Sequence, residues 1–426
     1  MADKYLFPVK DKFQARAVTE PEFEPDLFEG INKLYVNLDD VRGKEYLEEI
    51  KYELGIENKS LQFTDDYVKI IFSGHRGCGK TTELKRLHHE LNTPEQYTAI
   101  FISIEEETEY SRFEPEDFYL LLITRLIQRL EEDGIKVNQS SLKELGKKLF
   151  SSEEVKEEIS KTFAAEIGTE NEAGFNIFGW LKSKANFKAL FSGENKSSTE
   201  IRREIKQNTL SIIEIFNTYL VDVREALSNN NKGKDLLYFF DGSEKIKPEV
   251  FSRLFVQDAG IINRISANMI MSVRIDAFYT IKEAPVDFTN YYTVPMIKMD
   301  NNQSKTLLRR IIEKRIDCDT FFDDAALNYI VGKSGGCVRQ LLIITNTALR
   351  KSRGNKIMPE HAEKATHEIG KTIRESLDSQ HLEILKKGIF EPADPKTGEM
   401  LFRLALLKYN GSNTIKPNPV LDGLIN

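Results

Sequence analysis

Residues 74–81 read Gly-His-Arg-Gly-Cys-Gly-Lys-Thr, a G-x-x-x-x-G-K-[ST] spacing, and nothing else in the chain constrains its fold so tightly. Tyr67–Phe72 before it has the pattern of a short apolar strand, and Glu83–Leu91 after it that of a helix. Such a loop needs that junction. Its glycines let successive N–H groups turn inward on phosphate oxygens, and the helix N-terminus faces the same anion. Gly74, His75, Arg76, Gly77, Cys78, Gly79, Lys80, Thr81 and Thr82 are therefore expected to line a phosphate site. Lys80 is placed to reach the β- and γ-phosphates, and the Thr81 hydroxyl to ligate Mg²⁺. An ordinary glycine-rich turn is the competing reading, and the order strand, loop, helix argues against it. Cys78 is expected as a small filler within the loop, with no resolving cysteine nearby in sequence. His88-His89 on the following helix is expected as a surface pair rather than a metal site.

A phosphate loop calls for a carboxylate at the end of a neighbouring strand. Leu236-Leu237-Tyr238-Phe239-Phe240-Asp241 supplies it: five apolar residues suit a strand buried on both faces, and Asp241 emerges at its C-terminal end. The bland alternative is a turn aspartate in Asp241-Gly242. The position where a second acid often follows is Gly242, and the nearest acid is Glu244. Glu244 reads either as the general base that polarises a water or as a solvated turn residue beside Lys245.

The rest of the chain organises around these two motifs. Its 426 residues suffice for two or three domains. With 40% hydrophobic and 30% charged residues it is neither a disordered chain nor a membrane-embedded one. Its longest apolar runs fall far short of the roughly 18 residues of a membrane span. Met1–Val9 lacks a signal-peptide core, and three cysteines make no disulfide framework, so a reduced, cytoplasmic setting is expected. A net charge of −7 excludes a wholesale nucleic-acid coat. Further strands are expected at 97–104, 267–273 and 291–296, and helices at 44–54, 118–130 and 199–227. Residues 1–34 read as an N-terminal arm, and 35–300 as the core with an irregular insertion at about 138–198. Residues 301–377 are expected to be helical, and 378–426 to form a small C-terminal unit.

The pattern resembles the P-loop ATPases of the AAA+ and STAND type, including NACHT-like switches and origin-recognition-type initiators. Val41-Arg42-Gly43-Lys44-Glu45 is similar to the h-h-G-R-E box of that group, with Lys44 where Arg is usual, and the resemblance puts Val41 and Gly43 over the nucleotide base. Asp241-Gly242-Ser243-Glu244 resembles the D-G-x-[DE] form of the NACHT Walker B; Lys245 replaces the usual following acid. Met269–Arg274 resembles the strand that ends in T-[ST]-R, by which Arg274 would sense the γ-phosphate; pairing with Asp276 is the alternative. Ser334–Gln340 resembles the sensor 2 turn of initiator-type lids, making Arg339 the candidate that reaches back over the nucleotide; a plain surface arginine at a helix start is the alternative.

The resemblance implies an α/β fold, a three-layer αβα sheet with a helical lid and a small winged-helix-like appendage. It implies ATP and Mg²⁺ as cofactors, with Thr81 and Asp241 holding the metal and Lys80, Asp241, Glu244, Arg274 and Arg339 acting in catalysis. No N-K-x-D-type guanine motif stands out. The expected function is an ATP-hydrolysing switch that forms homo-oligomers or signals to a separately encoded effector, as in antiviral defence, with Arg253 or Arg264 completing a neighbour's site. The alternatives are a DNA-associated initiator-type ATPase and a nucleotide-binding scaffold with little hydrolysis. Between Ala325 and Pro359 the charged residues are Lys333, Arg339, Arg350, Lys351, Arg353 and Lys356, without an acid. They suit either a helix C-terminus or a phosphate backbone. Asn176–Phe191 interleaves Phe178, Trp180, Phe187 and Phe191 with Lys182, Lys184 and Lys188, either a helix packed on the core or a binding surface.

Overall fold

The computed structural model describes residues 5–23, 34–62, 66–138, 140–149, 196–277, 288–391, 394–409 and 414–425. Most of the expected insertion lies outside them, including the aromatic and basic segment Asn176–Phe191.

Five strands make one parallel sheet: β1 (Lys69–Gly74), β2 (Tyr97–Ser103), β3 (Asp235–Asp241), β4 (Asn268–Arg274) and β5 (Asn290–Val294), in the order β2-β3-β4-β1-β5. Each expected strand is present within a few residues. Side chains alternate across the sheet, and both faces are covered, which is why these strands read as unbroken apolar runs. Leu236, Tyr238 and Phe240 join one core with helices α4 (Pro115–Glu132) and α5 (Lys196–Asn229). Leu237 and Phe239 join another with α2 (Glu45–Glu53) and α3 (Lys80–Leu91). The register aligns Gly74 with Arg274 and Ser103 with Asp241, so the phosphate loop and the acidic strand end at one edge.

Beyond the sheet, α6 (Asn302–Glu313), α7 (Asp324–Lys333), α8 (Val338–Lys351) and α9 (Pro359–Glu375) form a helical lid around Leu308, Ile312, Leu327, Leu341 and Ala365. Two further elements share that core. Within the N-terminal arm, α1 (Lys12–Val18) buries Ala15 and Val18 against it, and Asn346 Nδ2 donates to the Arg16 carbonyl at 2.8 Å. Seven residues are too few for a periodic signal. What starts this helix is Asp11, whose carboxylate accepts from the Phe13 and Gln14 amides at 3.0 Å. The C-terminal unit consists of α10 (Ser379–Lys387), α11 (Pro395–Phe402) and an antiparallel hairpin of β6 (Leu406–Lys408) and β7 (Ile415–Pro417). Its Leu385, Met400, Leu401 and Leu406 lie in the lid core. Among the described residues no helix is long and apolar enough to cross a membrane.

His88 departs from the expected surface pair. Only His89 is exposed; His88 is buried edge-on between Phe101 and Phe239, and its Nε2 donates to the Ala99 carbonyl at 3.2 Å. It falls on the inward face of α3, which packs on the sheet. Burial lowers its pKa from 6.5 to about 4. The unfolded chain therefore binds a proton that the folded chain refuses, and stability present above pH 6.5 is lost as the pH falls toward 4. The loss from this group is on the order of 3 kcal/mol. Urea unfolding from pH 7 to pH 4 should show a shallower acid-side decline for His88→Gln than for the parent chain; parallel declines would contradict this assignment.

Candidate functional site

The loop from Gly74 to Thr81 sits where β1 hands over to α3. Lys80 is buried and folds back, its Nζ donating to the carbonyls of Gly74 and His75 at 3.1 Å. Burial disfavours its charge, but the surrounding negative charge, Glu244 foremost, outweighs this and holds its pKa above the ordinary value. Thr81 Oγ1 donates to Asp241 Oδ2 at 2.8 Å, joining the first turn of α3 to the end of β3. Both are hard oxygen donors, the kind Mg²⁺ prefers. Among the described residues no cluster of three or more His, Cys, Asp or Glu side chains could hold a metal by itself. A Mg²⁺ ion here would thus take Thr81 and Asp241 from the protein and complete its shell with phosphate and water.

Glu244 is half-buried at the same edge. It accepts from the Ser272 hydroxyl at 3.3 Å, and that hydroxyl in turn accepts from the Gly242 amide at 3.1 Å. Ser243 Oγ donates to the Ser272 carbonyl. Ser272, in the middle of β4, therefore ties down the loop that carries both acids. Its only signal in the sequence is a hydroxyl two residues before the strand-end Arg274. Gly242 has φ +91°, a conformation that strains any residue with a Cβ, which explains why no acid follows Asp241 directly. Lys245 pairs with Glu105 at the end of β2.

Other expected site residues face elsewhere. His75 is fully buried and turns away from the loop interior. Its Nδ1 donates to the Leu401 carbonyl at 3.1 Å, and its Nε2 accepts from the Lys408 amide at 2.8 Å. Burial pushes its pKa down to about 3, so the ring is neutral. Arg274 pairs with Asp276 at 2.9 Å and lies over the Phe402 ring, 3.9 Å from its centroid. Arg76 is exposed. Cys78 is buried as a filler: a Cβ on Gly74 would come within 2.8 Å of its Sγ. The fold also brings Cys337 to the loop, its Sγ 3.6 Å from the Gly77 carbonyl, a proximity that linear distance concealed. Arg253 is engaged by Glu116 at 2.7 Å and Asp258 at 3.4 Å, while Arg264 is exposed just ahead of β4.

Arg42, within the Val41–Glu45 box, holds the loop from outside. It is buried, donating to the Cys78 carbonyl and to Glu83 Oε1, both at 2.7 Å. Burial opposes its charge, and Glu83 prevails. Beside it a cleft runs along Leu34, Tyr35, Val36 and Leu38 to Gly79, Thr82 and Glu83, closed from the lid by Ile311, Arg315 and Val338. Val41 packs against the lid core, and Gly43 follows the short helix that carries Arg42.

The lid meets the phosphate loop directly. The Arg339 amide donates to the Gly77 carbonyl at 3.2 Å, while its guanidinium turns outward to Glu22. Gly77 has φ +80°, and a Cβ there would lie 2.1 Å from Arg339 Cβ. Gly77→Ala should therefore push the start of α8 off the loop, read as faster amide exchange across residues 337–342. Unchanged exchange would mean that the lid does not rest on this glycine.

No family model matches the chain, and no curated protein matches it. Among solved structures it is similar to the RuvB Holliday junction branch migration motor of Thermotoga maritima, at 12% identity and a TM-score of 0.36, covering 91% of this chain and 96% of that one. It is similar also to Cdc6p from Pyrobaculum aerophilum, at 13% identity and a TM-score of 0.40, covering 96% of this chain and 95% of that one. Likeness at this level carries no argument about activity.

Proposed function

We propose that the chain binds ATP with Mg²⁺ at residues 74–82, hydrolyses it slowly, and acts as a switch read out by its lid and C-terminal unit. The observation that carries this reading is the 2.8 Å contact of the Thr81 hydroxyl with Asp241, made beside a buried Lys80 whose charge is sustained by Glu244.

Each residue then has a defined task. The loop amides and the α3 N-terminus bind phosphate oxygens. Lys80 exchanges its two carbonyl partners for the β- and γ-phosphates. Thr81 and Asp241 would hold Mg²⁺, which would supply charge neutralisation on those oxygens. Glu244, oriented by Ser272, accepts the proton of the attacking water as its oxygen bonds to the γ-phosphorus. The bond to the β–γ bridging oxygen breaks, and ADP and phosphate leave. Arg274 and Arg339 both lie within one layer of the loop; their present partners, Asp276 and Glu22, must release them before either touches phosphate.

The switch reading draws support from what the loop touches. His75 is bonded to Leu401 and Lys408, Arg274 stacks on Phe402, and Arg339 meets Gly77, so loop, strand end and lid each contact a second body. A change at the phosphate site has a direct mechanical route to the C-terminal unit. Self-assembly, or docking to an effector, would follow from that movement.

A second reading, contact with duplex DNA, is favoured by one observation. Arg350, Arg353 and Lys356 are exposed at the end of α8 and form no ion pair among the described residues. Binding to a short duplex that weakens steeply with salt and is lost on charge reversal of these three would support it.

The central test is nucleotide binding and single-turnover hydrolysis. Lys80→Ala should lose ATP affinity by at least ~100-fold, a charge-assisted contact of about 3 kcal/mol. Glu244→Gln should keep the affinity and hydrolyse ~100-fold more slowly, within the range of a general base. Equal hydrolysis rates for Glu244→Gln and the parent would remove Glu244 from the chemistry.

A further inference from the structure

The cleft beside the loop contains a cation that lacks a counter-charge among the described residues. Arg315, just past the end of α6, is 3% exposed. Its Nη2 donates to the Phe23 carbonyl at 3.3 Å, and its Nε is buried without a partner. Among the described residues no carboxylate opposes the cost, and burial pulls its pKa from 12.5 down to about 10. The two other long polar side chains that reach into the cleft, Arg42 and Tyr35, have partners. Arg42 is bound to Glu83 and the Cys78 carbonyl, and the Tyr35 hydroxyl accepts from Arg86 at 3.3 Å.

A buried guanidinium that stays under-bonded is costly, and the cost ends when an acceptor arrives. Guanidinium only donates, so its partner must be an acceptor. The cleft has two other properties. It opens at Gly79 and Thr82, where the phosphate chain of a bound nucleotide ends, and Leu34, Val36, Ile311 and Val338 make its walls apolar. Apolar walls with one convergent donor suit a flat heteroaromatic ring with an acceptor nitrogen on its edge.

We propose that Arg315 is a specificity residue for the nucleotide base, donating from its guanidinium to a ring nitrogen of a purine held between the N-terminal segment and the lid. This rests on the nucleotide-binding reading and sharpens it. The phosphate loop sets that a triphosphate binds; Arg315 sets which base accompanies it. It also gives the lid a reason to close: α6 and Arg315 move with the lid, so filling the base position draws the lid toward the loop.

Deaza analogues test this without altering the protein. Replacing one ring nitrogen of adenine by C–H deletes one acceptor and leaves the shape. Calorimetric titration would compare ATP with its 1-deaza, 3-deaza and 7-deaza forms on the parent chain and on Arg315→Met. One analogue should bind the parent ~10-fold more weakly than ATP, the scale of one charge-assisted hydrogen bond. Arg315→Met should bind that analogue and ATP equally. It should also melt at a higher temperature than the nucleotide-free parent, because an unpaired buried cation has been removed. Equal binding of all analogues by the parent overturns the proposal, and so does discrimination that survives in Arg315→Met. An Arg315→Met chain that weakens ATP and every analogue by one factor overturns it as well, and moves Arg315 to the ribose or phosphates. A parent chain that binds no nucleotide at all is a different failure, that of the function itself.

Discussion

Thr81 and Asp241 are 160 residues apart in the chain and 2.8 Å apart in space, and the rest of the site depends on the strand order that brings them together. The strands that lead to them, β1 ahead of the loop to Thr81 and β3 ending in Asp241, are not neighbours: β4 lies between them. A hydroxyl at the first turn of α3 thus reaches across the end of β4 to a carboxylate on the far side. The gap above β4 is where ligands collect in open parallel sheets, outside the carboxyl ends of the strands. Ser272 lies in β4 beneath that gap. It therefore reaches the acidic loop on one side while the phosphate loop stands on the other.

Three buried cations surround this edge, and each is compensated differently. Lys80 has two backbone carbonyls and the field of Glu244 and its neighbours. Arg42 has a carboxylate and a carbonyl, both at 2.7 Å, and so braces the loop against the first turns of α3. Arg315 has one carbonyl at 3.3 Å. Together with the positive end of α3, they place fixed positive charge at this edge of a chain that as a whole is acidic. Net charge describes solubility; the local arrangement is what the proposed phosphate site depends on. The lid completes it by resting on Gly77, and the C-terminal unit by hydrogen bonding to His75. Both contacts are made by backbone groups, which fixes distance and direction without depending on a particular partner side chain.

Much of this was legible in the sequence, for physical reasons. A strand buried on both faces leaves an uninterrupted apolar run, so Leu236–Phe240 and its acidic end could be found directly. The phosphate loop has obligatory glycines at fixed spacing. The lid helices carry apolar periodicity over three or more turns. Features that depend on tertiary proximity were not legible. His88 read as one of a surface pair because nothing local shows which side of α3 meets the sheet. His75 read as a phosphate-loop residue by position, but its imidazole serves the C-terminal unit, more than 300 residues later. Arg42 falls at a variable position of its box and Arg315 in no motif at all; the part each plays appears only when burial and partners are known. Helix α1 is too short for periodicity and owes its existence to a cap and to the lid that receives it.

The acidic loop shows how backbone geometry selects the residue that can act. Asp241 ends a strand and must be followed by a reversal. The chain makes it with Gly242 at φ +91°, its Cβ position 3.5 Å from the Ile104 side chain. An acid at 242 would carry the strain of that conformation. The next position, Ser243, is fully buried and bonded to the Ser272 carbonyl. Glu244 is the first residue after Asp241 that is both free of the left-handed turn and open to the edge of the sheet, in a single 3₁₀ turn over Ser243–Lys245. Displacing the acid by two positions moves it past the left-handed residue onto the 3₁₀ turn, with a hydroxyl on the adjacent strand to aim it. Lys245, where a further acid is usual, is drawn off to Glu105 and so leaves the field at Lys80 to Glu244 and Asp241. The departure from the common acidic pair is thus a consequence of where the chain turns. What it leaves at the edge of the sheet, beyond Asp241, is one carboxylate held by one serine.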